Sequence, residues 1–166
     1  MKLLYRAFAP VTFLTALLNP RTGCAQSVTD PLRFFQGMTE TVGTLRVMLR
    51  DSVHTRDIGQ GKIRSDGTLV LVQRVEEDGN RPHQRRWLIR QVAPGRFVGT
   101  MSEASGPVAI DKVGDRYRFR FKMSGNMSVE EWLTPLPGGR AAMSNMTARK
   151  FGIAVAHAQG IVRKVS

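Results

Sequence analysis

Glycine-bearing turn signals punctuate this chain at short, even intervals. Asp66-Gly67, Asp78-Gly79, Pro94-Gly95, Ser105-Gly106, Gly114-Asp115, Ser124-Gly125 and Gly138-Gly139 follow one another from the middle of the sequence to near its end. Such pairs supply the positive φ angles that tight hairpins require. The gaps of about nine to sixteen residues leave room for one strand each and for no helix of ordinary length. A chain punctuated in this way is confined to consecutive antiparallel strands.

The segments between the turns carry the matching pattern. In 115–122, Tyr117, Phe119 and Phe121 share one face, and Arg116, Arg118, Arg120 and Lys122 share the other. Side chains alternate along a strand, so this one is apolar inward and cationic outward. In 85–91, Trp87 and Ile89 stand opposite Arg86, Leu88 and Arg90, and 69–72 is apolar on both sides. Further strands are expected near 42–50, 54–64, 96–101, 107–113, 126–134, 140–149 and 153–164. That makes about nine or ten strands. Before them, Asp30 can cap and Pro31 can open a short helix that Gly37 ends, with Leu32, Phe34 and Phe35 plugging one end of the core. The expected fold is all-β: an antiparallel up-and-down β-barrel, closed because closure removes exposed edges, with a two-sheet sandwich as the alternative. No internal repeat or low-complexity linker divides residues 26–166, which read as one domain.

The first 25 residues read as a signal peptide. Lys2 and Arg6 precede a run from Ala7 to Leu18 that is apolar apart from Thr12 and Thr15, and no acidic residue occurs before Asp30. The run is shorter than the ~20 residues a membrane-spanning helix needs. Gly23-Cys24-Ala25 suits cleavage before Gln26, which would remove the single cysteine and take the charge from +12 to +9. The competing reading makes Cys24 a lipidated N-terminus, but Arg21 stands where a lipoprotein signal wants an apolar residue. Soluble export to the bacterial envelope, into the periplasm, is the favoured expectation.

A set of landmarks in a fixed order resembles a bacterial envelope family, domain of unknown function 3833. They are Phe34-Phe35-Gln36-Gly37, Gly43, Asp51, Arg86-Trp87-Leu88-Ile89, Gly95-Arg96-Phe97-Val98-Gly99, Gly106, Glu131-Trp132, Asn145-Met146-Thr147 and Lys150-Phe151-Gly152-Ile153. The resemblance implies an exported protein with a lipocalin-like barrel, often with a lipoprotein signal. It brings no activity and no catalytic residues.

Several chemistries are excluded by composition and motif. One cysteine rules out a disulfide framework, a cysteine-rich zinc site and an iron–sulfur cluster. His54, His83 and His157 show no ligand spacing, and no nucleophile elbow, Walker or Rossmann fingerprint occurs. No catalytic residue, metal ligand or cofactor is assigned. A single-histidine haem site at His157 is weaker than an ordinary exposed or satisfied histidine. Glu76-Glu77 and Glu130-Glu131 are adjacent, so each pair splits between two faces of a strand.

Two sets of residues remain. Trp87, Tyr117, Phe119 and Trp132 are the candidates for lining a ligand cup, against plain core packing. Arg116, Arg118, Arg120 and Lys122 are the candidates for an anionic surface such as phospholipid, against a merely solvated face. Nucleic acid is not an expected partner, and a monomer is expected. The leading expectation is a non-catalytic binder of a lipid or other apolar or amphipathic small molecule, its tail in the barrel and its anionic head on basic rim residues. The alternatives are a lipid-modifying enzyme in the same cup, with Glu131 and His157 as the groups to inspect, and a filled barrel acting through its exterior.

Overall fold

The computed structural model describes residues 30–165. The signal segment, the cleavage site and Cys24 lie outside them. Asp30 accepts a hydrogen bond from the Leu32 amide at 2.9 Å and caps a one-turn helix, α1 (Pro31–Phe34). Ten strands follow: β1 (Gly37–Val47), β2 (Val53–Ile63), β3 (Leu69–Glu77), β4 (His83–Ala93), β5 (Arg96–Met101), β6 (Val108–Val113), β7 (Arg116–Met123), β8 (Met127–Pro135), β9 (Ala141–Lys150) and β10 (Ile153–Lys164). Each pairs antiparallel with its sequence neighbour, and β1 pairs with β10 to close the barrel. The sandwich alternative is therefore set aside. All seven turn signals fall between strands.

The first strand begins at Gly37, earlier than the sequence pattern suggested. Its inward positions are Thr39, Thr41 and Gly43, small residues that give no apolar alternation to read. β3 likewise runs on to Glu77, because Gln73 and Val75 continue the inward series of Leu69 and Leu71.

One end of the barrel is plugged and the other is open. Leu32, Phe34 and Phe35 are buried under the plugged end, and the two phenyl rings meet edge to face at 5.1 Å. Gly61 on β2 makes this possible: a Cβ there would lie 1.8 Å from the Phe35 carbonyl oxygen. The Lys164 ammonium donates to the Arg33 carbonyl at 2.9 Å, so the last strand latches the plug. Closure at β1 and β10 also depends on close backbone approach. Gly43 faces Gly160 there, and a Cβ on Gly43 would lie 2.3 Å from the Gln159 carbonyl oxygen.

Candidate functional site: a cup with an apolar floor and a carboxylate wall

The inward side chains are unequal around the barrel. β3 to β8 contribute Leu71, Trp87, Ile89, Phe119 and Leu133. β1, β2, β9 and β10 contribute mostly small ones, Thr41, Gly43, Thr55, Ser144, Ala158 and Gly160, with Leu45, Met146 and Val162 among them. The first set carries the aromatic side chains, and a void remains beside the mostly small second set. That void is a cavity of about 160 Å³, floored by Phe35, Leu71, Ile89, Leu133 and Val162.

Trp87 forms one wall. Its ring stands edge-on to Phe119 at 6.4 Å and to Phe121 at 6.0 Å. Its Nε1–H donates to the Gln73 Oε1 at 2.6 Å, which satisfies both buried polar groups. Above this pair, away from the plug, the wall turns acidic. Asp57, Glu77 and Glu131 face the cavity with Arg85 as the cation among them. Arg85 reaches Asp57 at 3.6 Å and Glu103 at 3.1 Å, and Glu103 also meets the His83 Nε2 at 3.0 Å. Glu131 accepts a hydrogen bond from the Ser144 hydroxyl at 2.6 Å.

Burial pushes the Asp57 carboxyl up to about 6 from its ordinary 3.8. The Arg85 charge opposes that rise, while Glu131, Glu77 and Glu103 add to it. The cup therefore holds a carboxyl that gains its proton in mildly acidic solution. Beneath the floor, Tyr117 is fully buried, with its ring edge-on to Phe97 at 6.2 Å. Burial, followed by the charge of Asp30, pushes its hydroxyl up to about 12.

Of the four residues proposed from sequence as cup lining, Trp87 and Phe119 line the cavity and Tyr117 packs below it. Trp132 stands outside. Val129, Glu131 and Leu133 take the inward positions of β8, so strand alternation sends Trp132 outward. There the Arg116 guanidinium lies 4.4 Å above its ring and that of Arg118 5.6 Å.

Arg116, Arg118, Arg120 and Lys122 occupy the outer face of β7. They run along the wall instead of around the mouth, so they are not placed to hold the head of a molecule seated in the cup. Asp111 partly neutralises them, at 2.7 Å from Arg120 and 3.9 Å from Arg118. His157 also lies outside, exposed and in contact with the Thr147 hydroxyl at 3.3 Å, so it offers the cup no axial ligand. Among the described residues no cluster of three or more histidine, cysteine, aspartate or glutamate side chains could hold a metal ion. None of their helices is long and apolar enough to cross a membrane.

Sequence reasoning missed Asp57, Gln73, Glu77 and Arg85. A signal existed for three of them: Gln73 and Glu77 have the parity of Leu69, Leu71 and Val75, and Arg85 that of Trp87 and Ile89. β2 offered none, since Thr55, Asp57, Gly59 and Gly61 carry no apolar alternation.

No protein-family model and no curated protein sequence matches the chain. Solved structures do. An S-type phycobiliprotein lyase, CPES, from Guillardia theta superposes with a TM-score of 0.63 at 7% identity, over 81% of this chain and 91% of that one. A de novo designed fluorescence-activating β-barrel matches with a TM-score of 0.45 at 14% identity, over 81% and 97%. A redesigned β-barrel bound to DFHBI matches with a TM-score of 0.44 at 12% identity, over 80% and 97%. The first of these likenesses extends along most of both chains, and at such low identity it speaks of architecture alone: the protein is a closed, lipocalin-like antiparallel barrel.

Proposed function

We propose that the protein binds a small amphipathic molecule in its barrel cup, without chemistry of its own. The observation that carries this reading is the division of the cavity into an apolar floor and a polar upper wall. Small-molecule sites are commonly apolar concavities with a few placed polar groups. The phycobiliprotein lyase supports the reading only as a barrel whose name points to work on a pigment protein.

The wall chemistry narrows the ligand. Asp57, Glu77 and Glu131 accept hydrogen bonds when ionised, and Arg85 already faces Asp57 and Glu103. A hydroxyl, amide or ammonium group suits that wall, whereas a carboxylate or phosphate would meet like charge. This reverses the expectation of an anionic head held by basic residues. At about 160 Å³ the closed part of the cup takes a ring or a short chain, with the remainder of the molecule toward the mouth. Within this proposal the site of action is the bacterial envelope, on the strength of the layout of residues 1–25.

Fluorescence titration with the neutral apolar dye Nile red tests the reading. Saturable binding with partial quenching of tryptophan emission is expected, and Ala158→Leu, which fills the small-residue side, should abolish both. Binding that Ala158→Leu leaves unchanged would place the dye elsewhere and remove the cup from the account.

A further inference from the structure

Two hairpin tips at the mouth break the turn chemistry that their neighbours obey. Leu49 and Phe151 sit at positive φ, 62° and 51°. Bulky side chains rarely adopt that backbone, and glycine or asparagine normally takes such positions. The neighbouring connections at the same end follow the rule with Gly79, Gly125 and Asn126. Phe151 and Gly152 are the two residues joining β9 to β10, both at positive φ, where Asn-Gly is the favoured pair.

Neither side chain is buried. Leu49 is 99% exposed, Phe151 78% and Ile153 63%. The two tips are neighbours, because β1 and β10 pair up to Val47 and Ala156 and the Met48 amide donates to the Val155 carbonyl at 2.9 Å. The half-exposed Met48 joins them. The setting is cationic: segments 46–51 and 149–153 hold Arg46, Arg50, Arg149 and Lys150 against Asp51 alone. The Lys150 ammonium lies 5.9 Å from the centre of the Phe151 ring.

We propose that these tips dock the barrel, mouth first, on an anionic phospholipid bilayer. Leu49, Phe151 and Ile153 enter the headgroup–acyl boundary, and Arg46, Arg50, Arg149 and Lys150 meet lipid phosphates. Apolar side chains ringed by basic ones are the composition of interfacial membrane anchors. Docking would face the cup toward the bilayer surface. The surface is distinct from the β7 stripe, whose arginines are shared with Asp111.

The test is co-sedimentation of the purified protein with vesicles of mixed phosphatidylglycerol and phosphatidylcholine. The variant is Leu49→Asn with Phe151→Asn, chosen because asparagine suits both backbone positions. The wild type should bind the mixed vesicles, and bind pure phosphatidylcholine much more weakly. The double variant should melt no lower than the wild type, take up Nile red equally, and lose vesicle binding by roughly tenfold or more. Arg118→Ala with Arg120→Ala should leave it unchanged. Equal vesicle binding by wild type and double variant overturns the proposal. So does a wild-type dimer in sedimentation velocity that binds no vesicles and that the asparagines dissolve, which would assign the tips to a second copy of the chain.

Discussion

Replacing Asp57 by asparagine should change how stability depends on pH. Asp57 titrates near 3.8 when unfolded and at about 6 in the cup. The folded protein therefore holds this proton more tightly than the unfolded chain does. The contribution is fully present below about pH 4, and it is lost as pH rises through about 6. A displacement of roughly 2 units at 1.36 kcal/mol each gives about 3 kcal/mol between those limits. Asp57 is mostly buried, so solvent screening removes little of it. Asparagine cannot ionise and should erase the loss. Arg85 keeps its contact with Glu103 in the variant, so it is not left unpaired. Urea unfolding of both proteins at pH 4, 5, 6 and 7.5 reads the difference, because carboxyls remote from Asp57 titrate alike in both. The stability of Asp57→Asn relative to wild type should rise across that window by an amount on the order of 2–3 kcal/mol. Parallel pH profiles would refute a desolvated Asp57, and with it the enclosed acidic wall.

Three further perturbations probe the frame around the cup. Trp87→Phe leaves the buried Gln73 oxygen without its donor, so a loss of roughly 1–3 kcal/mol is expected in chemical denaturation, and a loss within error would contradict the hydrogen bond. Gly61→Ala forces the Phe35 backbone away and should cost about 1–3 kcal/mol, read as a lower thermal midpoint. Asp30→Ala removes the cap of α1 and should cost about 0.5–2 kcal/mol, with the plug amides of Phe34 and Phe35 gaining hydrogen exchange first.

The architecture was largely legible because it is written in local chemistry. Glycine turns and the alternation of Tyr117, Phe119 and Phe121 against Arg116, Arg118 and Arg120 act within a few residues. The cup was less so, because its residues meet only through register. Trp87 and Phe119 could be picked out as aromatic, but the choice between Glu131 and Trp132 depends on which residue of β8 lies opposite Phe119, and that residue is Glu131. Asp57 comes from a strand without apolar alternation, so it did not announce its side, while Arg85 shared the face of Trp87 but gave no sign that a cation would stand inside. The tips at Leu49 and Phe151 escaped notice for a related reason. Turn chemistry is recognised by glycine and asparagine, and these two turns put large apolar residues where those are expected.

The central claim is that the cup holds a small molecule. Native mass spectrometry of the protein purified from the cells that make it tests this most directly. The account predicts a co-purifying mass, released on denaturation, that carries an apolar body and a hydroxyl, amide or amine and that Ala158→Leu fails to retain. A bare protein from the same cells, together with no Nile red binding, would contradict it and leave a barrel that works through its exterior.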